Sequence, residues 1–137
     1  MITQTAEYAI RAVVCLAAND GGPMTSADIA GRVDVPSNYM GKVLGMLTKA
    51  GITEAQRGVG GGAKLALPLE QITLLDILGA VDARPRRVIE CPLKVKCHGE
   101  LCPVHRLIDE TAAEVERRLG SRTIADLLPT DPDDDFC

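Results

Sequence analysis

Three cysteines and a histidine crowd into residues 91–105 in the order Cys91-x5-Cys97-x4-Cys102-x2-His105. Thiolate sulfur and neutral imidazole nitrogen are the donors that hold zinc and iron-sulfur centres, so this segment matches a metal site in ligand number and kind. Cys102 directly precedes Pro103, a favoured first residue of a helix. Its sulfur is thereby expected at a helix N-terminus, where the dipole favours the thiolate. Zinc prefers at least one short knuckle, and the looser first gap suits a cluster wrapped by an open loop somewhat better. Spacing alone leaves an iron-sulfur cluster, a zinc clip and a metal-free thiol switch open. Inert buried thiols fit poorly beside Glu90, Lys94, Lys96, His98 and Glu100. Cys15 reads instead as a small core hydrophobe, and Cys137 ends an acidic tail.

The elements that must position this loop follow from periodicity. Residues 3–19 carry Ala6, Ala9, Ile10, Val13, Leu16 and Ala17 at helical spacing, and the stretch from Asn19 to Pro23 breaks the pattern. Thr25 and Asp28 resemble a capping box that starts a second helix, with Ala27, Ala30 and Val33 expected inward. Pro36 and Ser37 open a third helix whose buried stripe is Met40, Val43, Leu44 and Leu47, stopped by Gly51. Two helices across a tight turn, the second led by Ser37, Asn38 and Lys42, give the pattern of a major-groove reader.

Ile52 to Gln56 reads as a strand, Arg57 to Gly62 as a glycine-rich loop, and Ala63 to Leu67 as the returning strand. That hairpin is a wing. A phosphate cradle for a nucleotide would require Gly-Lys-Ser/Thr spacing before a helix, which is absent. Glycines at 58, 60 and 61 let a backbone approach DNA phosphates, and Arg57 suits the negative potential of a narrow minor groove. A fourth helix is expected over 73–83, an irregular stretch over 84–101, a long helix from Pro103 to about Leu119, and a short last helix from Thr123 to Leu128. Val104, Leu107, Ile108, Ala112, Val115 and Leu119 form a seam on the long helix that either a second copy of the chain or, if the helix folds back, the chain's own core would cover.

The fold class expected is mainly α: a winged helix-turn-helix over 1–83, a cysteine loop over 84–102, a dimerisation helix with a short final helix over 103–128, and an acidic tail over 129–137. With 137 residues the chain suits one domain. Its net charge of -4 argues against nucleic acid only until the acids are located. Five of the nineteen lie in 126–137, which leaves fourteen acids against fifteen bases over the rest. The opening segment is interrupted by Glu7 and Arg11 and lacks a cleavage signature, and no stretch is apolar enough to span a membrane. A cytoplasmic protein without a membrane partner is expected, in which thiols stay reduced. No nucleophile motif points to an enzyme.

Four features carry a family resemblance: Glu7-Tyr8-Ala9-Ile10-Arg11, the wing Arg57-Gly58-Val59-Gly60-Gly61-Gly62, the segment from Leu75 to Asp82, and the cysteine loop before a long helix. From about residue 1 to 128 the chain resembles the Rrf-two family of bacterial winged-helix transcriptional regulators. The resemblance implies a homodimer on a pseudo-palindromic double-stranded DNA operator, with an iron-sulfur cluster setting affinity. A 2Fe-2S centre is favoured and a 4Fe-4S centre is the alternative. It implies Cys91, Cys97 and Cys102 as ligands, with either His105 or a partner subunit's Glu7 as the fourth. DNA-facing residues would be Thr25, Ser37, Asn38, Tyr39 and Lys42, with Arg57, Gly58, Gly60 and Gly61 in the wing. Helix capping by Ser37 and packing by Tyr39 are their alternative roles. The second cysteine gap is four residues where five is commoner in the family, which leaves cluster type and geometry open.

Overall fold

The structure is a computed structural model describing residues 2–94 and 100–129. Helix α1 (Gln4–Ala17) starts at Thr3, whose hydroxyl accepts from Ala6 N–H, and it buries Ala6, Ala9, Ala12, Val13, Cys15 and Leu16. Helix α2 (Ser26–Val33) starts at Thr25, whose Oγ1 accepts from Asp28 N–H and donates to the Asp28 carboxylate. The stripe expected on α2 needs one correction: Ile29 and Ala30 are buried, while Ala27 is exposed. Turning Ile29 inward removes more apolar area from water than turning Ala27 inward would.

Asp34, in the left-handed conformation, ends α2, and Val35 N–H donates to Ala30 O across the turn. Helix α3 (Ser37–Lys49) then buries Met40, Val43, Leu44 and Leu47, the stripe expected. Its N-cap position is taken by Pro36, and no side chain caps it.

Strands β1 (Thr53–Gln56) and β2 (Gly62–Leu65) pair antiparallel with Glu54 opposite Lys64, whose side chains form a 2.9 Å ion pair. Met24, one residue before the α2 cap, exchanges two backbone hydrogen bonds with Ala63 of β2. The helix-turn-helix and the wing are therefore tied together at one backbone bridge.

A 3-10 turn (Leu69–Gln71) leads to α4 (Leu74–Ala80), started by a reciprocal capping box between Thr73 and Asp76. This helix is shorter than the expected 73–83, because Asp82 adopts a left-handed conformation just beyond it. Helix α5 (Pro103–Gly120) carries two faces. Cys102, His105, Asp109 and Glu116 recur at helical spacing toward the segment before it, while Val104, Leu107 and Ile108 lie on the other side, 64%, 66% and 49% exposed.

Helix α6 (Ile124–Leu127), begun by a Thr123–Asp126 capping box, folds back. Ile124 N–H donates to Ile72 O, and the Ile124 side chain joins the core formed by the first four helices. The mainly helical architecture with a two-stranded wing is the class read from sequence. No helix among the described residues is long and apolar enough to cross a membrane.

Candidate metal centre and nucleic-acid face

Cys102 is the N-cap residue of α5 and is 7% exposed. One turn later His105 directs Nδ1 back to within 3.0 Å of the Cys102 sulfur. Cys91 approaches from the preceding segment, its sulfur 3.5 Å from the same nitrogen. The three donor atoms all lie within 4.8 Å of one another. Ligands about 2.0–2.3 Å from a shared ion stand roughly 3.5 Å apart, so this set fits a thiolate–imidazole metal centre in both chemistry and spacing. Cys97, the remaining expected ligand, lies outside the described residues, as does His98.

Glu7 stands elsewhere. It lies on α1, ion-paired with Arg11 at 3.1 Å, and is not among the converging donors of its own chain. Arg11 also donates to Val33 O, so this pair lines a shallow groove between α1 and the end of α2.

The segment leading to Cys91 meets α5 through a group of contacts that sequence reasoning missed. Arg87 donates through Nε and an Nη to both oxygens of Asp109, at 2.7 and 2.8 Å, and Val88 N–H donates to the same carboxylate at 2.9 Å. The guanidinium hydrogen bonds, then the Val88 N–H, hold the Asp109 carboxyl down to about 2. Glu116 flanks the same guanidinium at 3.9 Å. The basic residues at 84–96 were the available signal, but the partner lies on a helix 22 residues away.

On α3 the leading edge is open. Ser37, Asn38 and Lys42 are exposed, with Asn38 Oδ1 accepting from Tyr39 N–H. Tyr39 is half-buried: its hydroxyl shares a 2.8 Å hydrogen bond with Thr5, and its ring meets Tyr8 edge-on at 5.5 Å. Packing of α3 on α1 is the role its contacts support, and Ser37 caps nothing. Thr25 is exposed but occupied as the α2 cap.

In the wing, Arg57 and Val59 are exposed at the tip. Gly61 N–H closes the turn onto Gly58 O. A Cβ on Gly61 would overlap the Gln56 carbonyl, and one on Gly62 would overlap the Met24 carbonyl. These two glycines are thus required by the hairpin and by its bridge to the helix-turn-helix.

A helix-turn-helix tied to a glycine-rich wing, with a thiol–imidazole group at the root of a long helix, defines a winged-helix DNA-binding regulator. The chain belongs to the Rrf2 family, described as iron-dependent transcriptional regulators, whose profile matches residues 2–130. It is a transcriptional regulator, not an enzyme. It is 35% identical over 129 residues to a chain named as an HTH-type transcriptional regulator of Haemophilus influenzae, covering 93% of this chain and 85% of that one. Among solved structures it is similar to IscR of T. potens, at 26% identity and a TM-score of 0.75, covering 93% of this chain and 85% of that one. It is equally similar to CymR, the global cysteine regulator of B. subtilis, at 26% identity and a TM-score of 0.75, covering 93% and 95%.

Proposed function

We propose that this regulator acts as a homodimer whose affinity for a pseudo-palindromic operator is set by an iron-sulfur centre held by Cys91, Cys97, Cys102 and His105. The observation carrying this reading is the approach of the Cys91 and Cys102 sulfurs to one ring nitrogen of His105, at 3.5 and 3.0 Å. An iron-sulfur cluster supplies a redox-active core sensitive to oxidants, nitric oxide and iron supply. The chain's residues supply the rest. Cys102 offers a sulfur at the N-cap of α5, and His105 sets the position of the imidazole one turn later.

DNA contact is assigned to Ser37, Asn38 and Lys42 on α3, to the Thr25 end of α2, and to Arg57 with Gly58, Gly60 and Gly61 in the wing. The exposed Val104, Leu107 and Ile108 support pairing of α5 with a second copy, since such a seam is costly in water. Because the ligands sit at the root of that helix, a change at the centre would shift the spacing of the two α3 helices. Half-sites one turn apart tolerate little change, and a coupling of about 1–3 kcal/mol would move affinity by roughly 5–150-fold.

Purification under nitrogen tests this. A coloured protein containing iron and sulfide, whose operator retention changes when the centre is lost, supports the reading. Colourless protein with unchanged DNA binding after reconstitution overturns it.

Similarity to a regulator named for cysteine supports a second reading, in which the same cysteines act as a metal-free thiol switch or hold zinc. Native mass spectrometry separates the two readings by added mass or by the loss of two hydrogens per disulfide.

A further inference from the structure

We infer that the Arg87–Asp109 clamp is a positioning device that sets where Cys91 stands relative to Cys102 and His105. The inference rests on the thiol–imidazole group being a working site, and it concerns how that site is assembled. Cys102 and His105 are placed by α5 itself, one at its N-cap and the other in its first turn. Cys91 has no such support: it follows a stretch from Val81 to Glu90 with no helix or strand, and it is only half-buried. Its carbonyl accepts from Lys94 N–H and its sulfur meets His105, and the chain leading into it is anchored on α5.

Asp109 is that anchor, on the same face of the same helix. It lies four residues after His105, one turn along, and receives three hydrogen bonds from Arg87 and Val88. From Val88 to Cys91 the chain is three residues long, so Cys91 is restricted to within roughly 10 Å of the anchored Val88. The fork geometry matters, because two parallel N–H groups fix orientation as well as distance. Glu116, two turns beyond Asp109, approaches the same guanidinium and keeps it aligned with the helix. All three contacts lie on the side of α5 away from Val104, Leu107 and Ile108, so the clamp works within one protomer.

The test compares wild type with Arg87→Gln, Asp109→Asn, the double variant and Arg87→Lys, each as the full chain. In the reduced, metal-free protein, alkylation with iodoacetamide is followed at each cysteine by mass spectrometry. Cys91 should react several-fold faster in both single variants while Cys102 changes less than about twofold. In the reconstituted protein, iron loss to a chelator should speed up about tenfold, the low end of the effect of residues that orient metal ligands. The double variant should be no worse than the worse single one, because the two residues act as a unit. Arg87→Lys keeps the charge but not the fork and should fall between, which guards against a Gln variant that folds poorly.

Equal acceleration at Cys91 and Cys102 would mean that α5 merely loosens, and it overturns the clamp. Unchanged alkylation and unchanged iron retention also overturn it. A wild-type chain that takes up no iron removes the proposed function, while the alkylation pattern still decides the clamp.

Discussion

His105 Nδ1 lies 3.0 Å from the sulfur of Cys102, which occupies the N-cap position of the helix that carries His105. Two donors one turn apart on a helix need no loop to bring them together, so they form the rigid half of the group and Cys91 the delivered half. His105→Ala should therefore leave the fold intact while reducing iron retention by at least the ~10–100-fold seen for residues that only orient ligands. Iron and sulfide analysis after chelator challenge measures this, and full retention would remove His105 from the ligand set.

Arg57→Ala should weaken operator binding and lower the slope of log affinity against log salt by about one, as expected when one cation no longer displaces counterions from the DNA. Fluorescence anisotropy across a salt series reads both effects, and iron content should stay at the wild-type level because the wing is remote in sequence from the cysteines.

At Gly62 a methyl group would meet the Met24 carbonyl and the Thr25 backbone nitrogen. Gly62→Ala should cost about 1–3 kcal/mol of stability through backbone strain and loss of the bridge to Ala63. Gly45→Ala, at an exposed position with open space on α3, should be neutral or stabilising. Urea unfolding of the two variants checks the contrast.

Asp109 is held at about 2, below its ordinary 3.8, by Arg87 and the Val88 N–H. A carboxyl depressed in the folded state stabilises the protein above its unfolded value, and that contribution is lost as pH falls through its folded value. The Arg87–Asp109 contribution should thus be complete above about pH 4 and fade between about 4 and 2. Urea midpoints across that range should fall less steeply in Asp109→Asn than in wild type.

Leu107→Asp places a charge in the middle of the exposed α5 seam. Sedimentation should report a monomer with greatly weakened operator binding, and a variant that still sediments as a dimer would locate the pairing surface elsewhere.

Much of this was legible in the sequence because the signals are local. Thr25 and Asp28 mark a helix start within four residues, and the stripe Met40, Val43, Leu44 and Leu47 follows from helical period alone. The convergence of Cys102 and His105 is likewise a matter of one turn. What escaped depends on residues distant in the chain. Nothing near Met24 announces its bridge to Ala63, nothing near Arg87 points to Asp109, and Ile124 joins the core only because the chain doubles back on Ile72. The end of α4 was placed too late because the left-handed turn falls on Asp82, a residue type that gives a weaker stop signal than glycine. The rotation of α2 was misjudged because alanines at regular spacing say less than a single isoleucine.

The return of α6 onto Ile72 and Thr73 ties α5 to the core at its far end, while Asp109 nearer its start ties it to the segment that carries Cys91. Tied to its own protomer at two places along its length, α5 has no free end among the described residues, so in the proposed dimer a change at the sulfurs would reach the winged-helix unit through packed contacts rather than through an open hinge.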